Sequence, residues 1–325
     1  GGFVGKEHCD PSVLLKDEDK LKEFVALFQE RSLTISALSC HANPLHPQKE
    51  IADTHTKELR ETILLAEKIG IGRVVTFAGC PGSSEQDRYP NWVTCPWPEY
   101  FSETLKWQWE KKVIPFWKEL SKFAEDHGVK ICFEIAPGDV VYTPEKLLSS
   151  REAAGEVLGC NLDHSHLFWQ GIDVLRAIRE LGDAIYHVHV KDTQIDSYNT
   201  SVKGILDTIP YREKEKRSWL FRTVGYGHDY KFWKDFVSQL RIVGYDDVLS
   251  IEHEDYLLSL EEGLRKAKEN EPALIVLDIL MPDLSGFEVI QRLREDEETR
   301  DIPIIVLTIK ELTEEECKML SRQTK

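Results

Sequence analysis

Four apolar runs of the chain each end in an acidic or imidazole side chain. The runs are KICFEIAP, GCNLDHSH, IYHVHVKD and VLSIEHED, and the residues in question are Glu134, Asp163, His189 and Glu252. Short apolar runs of this kind are consistent with buried parallel strands. In a (β/α)8 barrel the carboxyl ends of the strands meet at one face, where active sites are built. The sequence therefore predicts one shared polar site in an α/β TIM-barrel fold.

The four side chains together form an oxygen-rich ligand set. Three carboxylates and one imidazole suit a hard or borderline divalent ion such as Mn²⁺, Mg²⁺ or Co²⁺, and Zn²⁺ is also compatible with them. We therefore predict a divalent-metal site formed by Glu134, Asp163, His189 and Glu252. The competing interpretation is four unrelated strand-end residues whose positions are incidental.

Strand-like runs alternate with helical patterns along the chain, which favours a parallel α/β fold. A helical pattern over 53–69 stops at Gly70, and Thr143-Pro144 has the residue types that start a helix. Eight runs read as strands: 32–40, 73–79, 130–136, 159–163, 185–190, 248–253, 273–280 and 302–308.

Amino-acid composition limits the partners and the cellular compartment that we expect for this protein. A net charge of −16 over 325 residues argues against nucleic acid as a partner, because nucleic-acid binding needs a basic face. Seven cysteines without a Cys-x-x-Cys pair favour a reduced, cytoplasmic setting. With no signal peptide and no apolar stretch near 18 residues, we expect no membrane partner. The predicted partner is a small molecule, and an oligomer is left open.

Residues 1–267 resemble the xylose-isomerase-like sugar isomerase/epimerase family of (β/α)8 barrels, without its first two strands. The resemblance is carried by CFEIAPGDVVY, NLDHSHLFWQGID, YHVHVKDT, FRTVGYGHD and SIEHED. In that family the metal ligands end strands five to eight, which are the places of the four residues above. The resemblance implies a sugar or polyol substrate and a divalent metal. It also implies that Glu134 and Glu252 pass a proton on opposite faces of an enediolate.

Further residues are expected to contact the substrate. One follows Asp163 by three residues, one follows His189 directly, and one ends the run 32–40. Two lie on the insert 192–229, which resembles the family's substrate-binding loop. By alternation along the strand, His187 is expected to point away from His189. The predicted substrate-binding residues are His41, His166, Lys191, Arg222 and His228.

Residues 268–325 resemble half of a response-regulator receiver domain. LIVLDILMPDLSGFEVIQRLRE resembles the phospho-acceptor strand and its helix, with Asp278 as the acceptor, and IPIIVLTIK places Thr308 as the switch hydroxyl. The acidic pair and the lysine of that family belong to strands that this segment lacks, so phosphorylation is not expected. Six strands and two make eight. We therefore expect 273–308 to complete the barrel as one domain, in a chimera of designed or natural origin.

Two functions of different classes follow from these resemblances. One is a metal-dependent isomerase or epimerase, and the other is a chimeric scaffold that has lost catalysis because two barrel strands were exchanged. Related AP-endonuclease chemistry is disfavoured, because GYGHDYK lacks the Asp-x-His pair that this chemistry needs.

Overall fold

The computed structural model describes residues 9–31, 33–252, 254–258, 275–278, 286–295, 300 and 304–307. The helices are α1 (Pro11–Leu14), α2 (Glu18–Gln29), α3 (Lys49–Lys68), α4 (Glu99–Trp107), α5 (Ile114–Asp126), α6 (Pro144–Ala154), α7 (Ser165–Phe168), α8 (Val174–Leu181), α9 (Ser197–Lys203), α10 (Tyr230–Ile242) and α11 (Gly286–Glu295). The strands are β1 (Leu38–Ser39), β2 (Arg73–Thr76), β3 (Lys130–Glu134), β4 (Leu158–Asp163), β5 (Ile185–Val190), β6 (Asp192–Ile195), β7 (Trp219–Arg222), β8 (Leu249–Ile251), β9 (Ile275–Asp278) and β10 (Ile304–Leu307).

Six strands form one sheet in the order β1-β2-β3-β4-β5-β8, and every neighbouring pair is parallel. Helices connect these strands, so the described sheet is half of a TIM barrel in the α/β class. All eight predicted strands exist, although most are shorter than their apolar runs. The pair β6 and β7 was not predicted. It is antiparallel and spans the insert between β5 and β8.

The two strands of the receiver-like segment pair in parallel with each other, with α11 between them. Among the described residues they form a separate two-stranded sheet, and neither pairs with β1 or β8. The predicted βαβ unit is therefore present, whereas the described pairings do not show the predicted closure of the barrel. That closure stays a prediction.

Local sequence signals explain the helix ends. The predicted helix over 53–69 is α3, and the chain leaves it through Gly70 at φ 75°, a left-handed conformation that glycine adopts without strain. Thr143 caps α6 by accepting a hydrogen bond from Lys146 N at 3.3 Å, and Pro144 takes the first helical position. Apolar side chains of α3 reach the core, where Leu59 and Ile63 are fully buried.

Side chains connect distant strands across the inside of the curved sheet. Ser36, just before β1, lies 3.2 Å from a ring nitrogen of His187 on β5. At the amino ends of the strands, Arg73 of β2 also pairs with Asp247 just before β8. The sheet therefore curls enough to enclose an interior. In the described part of the chain, no helix combines the length and hydropathy needed to cross a bilayer.

Candidate metal centre

The carboxyl ends of β3, β4 and β5 bring three of the four predicted ligands together. Glu134, Asp163 and His189 each offer one ligand atom, and these atoms lie within 4.8 Å of one another. All three residues are buried, with exposures of 4%, 0% and 7%. Parallel pairing explains the cluster, because Asp163 and His189 are register partners on neighbouring strands. We refer to these three residues as the triad.

Glu134 accepts contacts from several nitrogens at one carboxylate oxygen. Oε2 lies 3.0 Å from His41 Nε2 and accepts a hydrogen bond from Asn161 Nδ2 at 3.0 Å. His166 Nε2 lies 3.5 Å from the other oxygen, Oε1. Burial would raise the pKa of Glu134, but the neighbouring histidines, His166 and His189 ahead of His41, hold it well below its ordinary value. The carboxylate is therefore ionised at neutral pH and available as a ligand.

Two buried polar atoms of the triad, Asp163 Oδ2 and His189 Nδ1, have charged neighbours but no well-formed hydrogen bond. Asp163 Oδ1 accepts from both the backbone N–H and the hydroxyl of Ser165, but Oδ2 forms no hydrogen bond. His189 Nδ1 lies 3.2 Å from Glu134 Oε2 and likewise forms no hydrogen bond. Buried polar atoms whose hydrogen bonding is incomplete are costly unless something else binds them. A divalent cation would satisfy both atoms, so the triad fits a metal ion.

The fourth predicted ligand, Glu252, lies beside the triad without belonging to it. Its Oε2 accepts a 2.6 Å hydrogen bond from Lys191 Nζ, and its Oε1 is 3.7 Å from His189 Nδ1. Its side chain is 36% exposed. Lys191 itself is 3% exposed and also lies 3.1 Å from Asp163 Oδ2. Burial lowers the pKa of Lys191, but these carboxylates raise it more strongly, so the amine is charged.

His166 also lies at the triad, and its predicted contact with substrate stays a prediction. Its Nε2 is 3.4 Å from Asp163 Oδ2, and burial, which lowers its pKa, is outweighed by Asp163 and Glu134, which raise it. The ring packs edge-on against Phe221, and Lys191 Nζ lies 4.5 Å from the centre of that aromatic ring. Phe221 therefore forms one wall beside the polar groups.

The contacts of the two predicted residues on the insert lie away from the triad. Arg222 Nε bonds both carboxylate oxygens of Asp255 at 3.1 Å. His228 bonds Asp192 through Nδ1 at 2.7 Å and stacks on Phe168 with ring centroids 3.8 Å apart. In this geometry both side chains hold the insert in place. Their predicted contact with substrate stays a prediction.

Gly227 explains part of the sequence of this insert. A Cβ atom on Gly227 would lie 2.2 Å from the carbonyl oxygen of Thr193. The backbone N–H groups of Gly225 and Gly227 both donate to Asp192 Oδ2, at 3.0 and 2.8 Å. The GYG sequence therefore allows the loop to wrap closely around one buried carboxylate.

Sequence reasoning misplaced one residue and missed others. Residues two apart on a strand lie on the same face, so His187 points into the barrel with His189, not away from it. Asn161, on the same face of β4, was not singled out although its amide reaches Glu134. Asp139 follows β3, and its pKa is raised to about 7 by burial and further by the charge of Glu134. A polar side chain two residues before a ligand was the available signal for Asn161 and His187.

Comparison with family profiles shows which protein family the chain belongs to. The profile described as Xylose isomerase-like TIM barrel matches residues 2–271. The chain belongs to this family. The uncharacterized protein YfiH of Bacillus subtilis (strain 168) is 40% identical over 272 residues, which cover 83% of this chain and 87% of YfiH.

Solved structures agree on the fold. A D-tagatose 3-epimerase-like protein superimposes with a TM-score of 0.52 at 20% identity, covering 78% of this chain and 82% of that one. The IOLI protein with a binding zinc atom gives a TM-score of 0.50 at 22% identity, covering 78% of this chain and 83% of that one. At these identities the likeness shows a shared fold.

The second predicted resemblance is also found. The profile of the response regulator receiver domain matches residues 247–323. The two family matches overlap over 247–271, a range that contains β8 and Glu252. The likeness to receivers thus begins ahead of the predicted boundary at residue 268. Asp278 ends β9, as the receiver resemblance implied, and Thr308 lies outside the described residues.

Proposed function

We propose that this chain is a divalent-metal-dependent isomerase or epimerase that acts on a sugar or polyol derivative. The observation that carries the proposal is the buried triad, whose three ligand atoms lie within 4.8 Å of one another. Membership of the xylose isomerase-like family supports the reaction class. The epimerase-like and zinc-binding relatives with the same fold support the substrate and cofactor classes.

The metal would be held by Glu134, Asp163 and His189, with Glu252 as the fourth ligand when the site is loaded. Mn²⁺, Mg²⁺ and Co²⁺ match the three carboxylates and one imidazole, and Zn²⁺ is compatible. A bound ion would polarise the substrate carbonyl and favour the enediolate.

Glu134 and Glu252 are the proposed proton-transfer groups. A base must reach the C–H beside the carbonyl within hydrogen-bond distance. Glu134 is buried and bound by surrounding nitrogens, whereas Glu252 is one-third exposed and bound by Lys191. In this proposal, the buried Glu134 and the more exposed Glu252 remove and return the proton on opposite faces of the substrate.

The remaining polar groups near the triad would orient the substrate. His41 and His166 lie beside Glu134, and the charged amine of Lys191 stabilises negative charge developing near Asp163 and Glu252. The ring of Phe221 excludes water along one wall. Arg222 and His228 reach the substrate in this proposal only after the insert moves, since their present partners are Asp255 and Asp192.

Deuterium incorporation at the substrate α-carbon tests this function. The full chain, chelated and then loaded with Mn²⁺, is incubated in D₂O with a panel of ketoses, aldoses and polyol-derived ketones. We expect metal-dependent exchange that both Glu134→Gln and Glu252→Gln abolish. Metal-independent exchange, or exchange that survives both substitutions, would contradict the proposal.

A second candidate is a metal-binding scaffold without catalysis. It is favoured by one observation: among the described residues, β9 and β10 pair with each other and do not extend the six-stranded sheet. In that case Mn²⁺ binds the triad, and no sugar in the panel exchanges its α-proton. The same experiment therefore separates the two candidates. Chimeric origin, by design or by gene fusion, is compatible with both.

A further inference from the structure

A row of polar side chains crosses the inside of the barrel and ends on Glu134. Asn161 Nδ2 lies 3.0 Å from Glu134 Oε2, and Asn161 Oδ1 lies 2.8 Å from His187 Nδ1. The other nitrogen of that ring, Nε2, lies 3.2 Å from Ser36 Oγ. Asn161 is fully buried and His187 is 2% exposed. These four side chains are called the polar row.

Donor and acceptor chemistry fixes the direction of the polar row. An ionised carboxylate only accepts, so Asn161 must present its NH₂ group to Glu134. The amide oxygen then faces His187 and accepts, so the ring carries a proton on Nδ1. Neutral His187 is left with Nε2 as the acceptor of the Ser36 hydroxyl. Every hydrogen bond of the row therefore donates toward Glu134.

Strand register places the row where it is. Glu134 and Asn161 are register partners on β3 and β4, and Asn161 and His187 are register partners on β4 and β5. The three side chains thus stand side by side across three neighbouring strands. Apolar residues would fill the same interior without the cost of burying polar groups. A polar row at this level therefore needs a reason other than packing.

We propose that Asn161 and His187 are positioning residues that orient the Glu134 carboxylate for metal binding. The proposal rests on the proposed function, since it assigns their effect to a ligand of that site. The amide fixes Oε2, and the ring fixes the amide. Bonds aligned in one direction polarise one another, which strengthens the last bond to the carboxylate. Partners behind a ligand typically change metal affinity by about 10- to 100-fold when they are removed.

A double-mutant cycle on Mn²⁺ affinity tests whether Asn161 acts through Glu134. The full chain is titrated calorimetrically as wild type, Asn161→Leu, Glu134→Gln and the double variant. We expect Asn161→Leu to weaken binding by about tenfold or more in the wild type. In the Glu134→Gln background it should have no further effect, because the group that it orients is gone.

Two further variants separate positioning from general damage. Thr76→Val removes a buried hydroxyl of neighbouring β2 that donates to the carbonyl oxygen of Phe77, and it should leave Mn²⁺ affinity unchanged. His187→Phe should weaken Mn²⁺ less than Asn161→Leu, because its effect passes through the amide. The absorption bands of bound Co²⁺ should change in Asn161→Leu and stay constant in Thr76→Val. If Asn161→Leu and Glu134→Gln bind Mn²⁺ too weakly to compare, these bands alone test the positioning role.

The outcomes are distinct for the two proposals. Equal weakening by Asn161→Leu in both backgrounds, or unchanged affinity and Co²⁺ bands in folded Asn161→Leu, would overturn the positioning role. Unchanged Mn²⁺ affinity in Glu134→Gln would instead overturn the metal site itself.

Discussion

The closed and open sides of the candidate site differ in how the protein holds their carboxylates. On the closed side, Glu134 and Asp163 are buried; Asn161 on β4 donates to Glu134, and the backbone N–H and hydroxyl of Ser165, at the start of α7, donate to Asp163. On the open side, Glu252 follows β8, the last strand of the sheet, and its side chain is 36% exposed. Ile251, its neighbour, is 66% exposed. The closed side is thus built by register among β3, β4 and β5.

The difference separates what the six strands supply from what a complete barrel would add. Interior strands have partners on both edges, so their end residues are held in fixed positions. β8 has a partner only in β5 among the described residues, so the placement of Glu252 depends on its hydrogen bond to Lys191. We infer that metal binding depends mainly on the closed side and proton transfer on both sides.

The largest expected effect separates the two glutamates. Glu134→Gln should reduce Mn²⁺ affinity by more than about 100-fold, beyond the range usual for partners behind a ligand. Glu252→Gln should reduce it less, because the triad remains, while abolishing α-proton exchange. Calorimetric titration and the exchange assay measure the two effects. If Glu134→Gln and Glu252→Gln lost equal affinity for Mn²⁺, the proposed difference between the closed and the open side would be wrong.

The next effect concerns Lys191, which contacts Asp163 on the closed side and Glu252 on the open side. Lys191→Met leaves the fully buried carboxylate of Asp163 without its cation, so the metal-free chain should lose about 3 kcal/mol of unfolding free energy. Excess Mn²⁺ should restore part of this loss. Urea unfolding measures both values. Lys231→Met, which breaks an exposed pair with Asp235, is the matched control and should leave the free energy of unfolding nearly unchanged. A similar cost in both variants would contradict the account.

A smaller effect follows from pKa shifts on the closed side. Burial lowers the pKa of His189, but Glu134 and other carboxylates raise it above its ordinary value. Its protonated form therefore stabilises the metal-free fold below pH 6.5, and this contribution is lost as pH rises through the raised pKa. A histidine must lose its extra proton before it binds a metal, so Mn²⁺ binding should release protons at pH 6 and strengthen with pH.

Calorimetry in buffers with different ionisation enthalpies measures this release. We expect affinity to rise by up to about tenfold per pH unit for each displaced proton. Affinity that stays constant from pH 6 to 8 would show that His189 is not a ligand.

The smallest effect concerns the exposed edge. The backbone N–H groups of Leu249–Ile251 should exchange with D₂O faster than those of Ile185–Val190, because an edge strand opens more readily. Hydrogen exchange followed by mass spectrometry of short peptides measures this difference. Equal protection of the two strands would show that β8 has a second partner, which would favour the predicted closure by 273–308.

The sequence predicted the closed side better than the open side. Strand ends are visible as polar residues after apolar runs, so Glu134, Asp163 and His189 could be placed on neighbouring strands. The sequence does not show which residues of neighbouring strands pair, so the polar row could not be predicted. Asn161 and His187 meet only when three strands align. Contacts of Arg222 and His228 depend on a hairpin whose antiparallel pairing has no strong local turn signal.

Closure of the barrel was predicted by counting strands, which is a weaker argument than register. A count says that two strands are missing, but it does not say which edges they meet. The hydrophobic pattern of 273–308 specifies a parallel βαβ unit, and that unit is found with β9 and β10 paired to each other. The same pattern suits a receiver domain and a barrel equally well.

Calorimetric unfolding of the chelated chain, repeated with excess Mn²⁺, tests the central claim most directly. A metal that binds only the folded state stabilises it by about 2.7 kcal/mol at 100 times the dissociation constant. The account predicts that the transition of the wild type moves to higher temperature with Mn²⁺, and that Glu134→Gln removes this shift. A wild-type unfolding temperature that does not change with Mn²⁺, or an equal rise of that temperature in Glu134→Gln, would contradict a metal site at the triad.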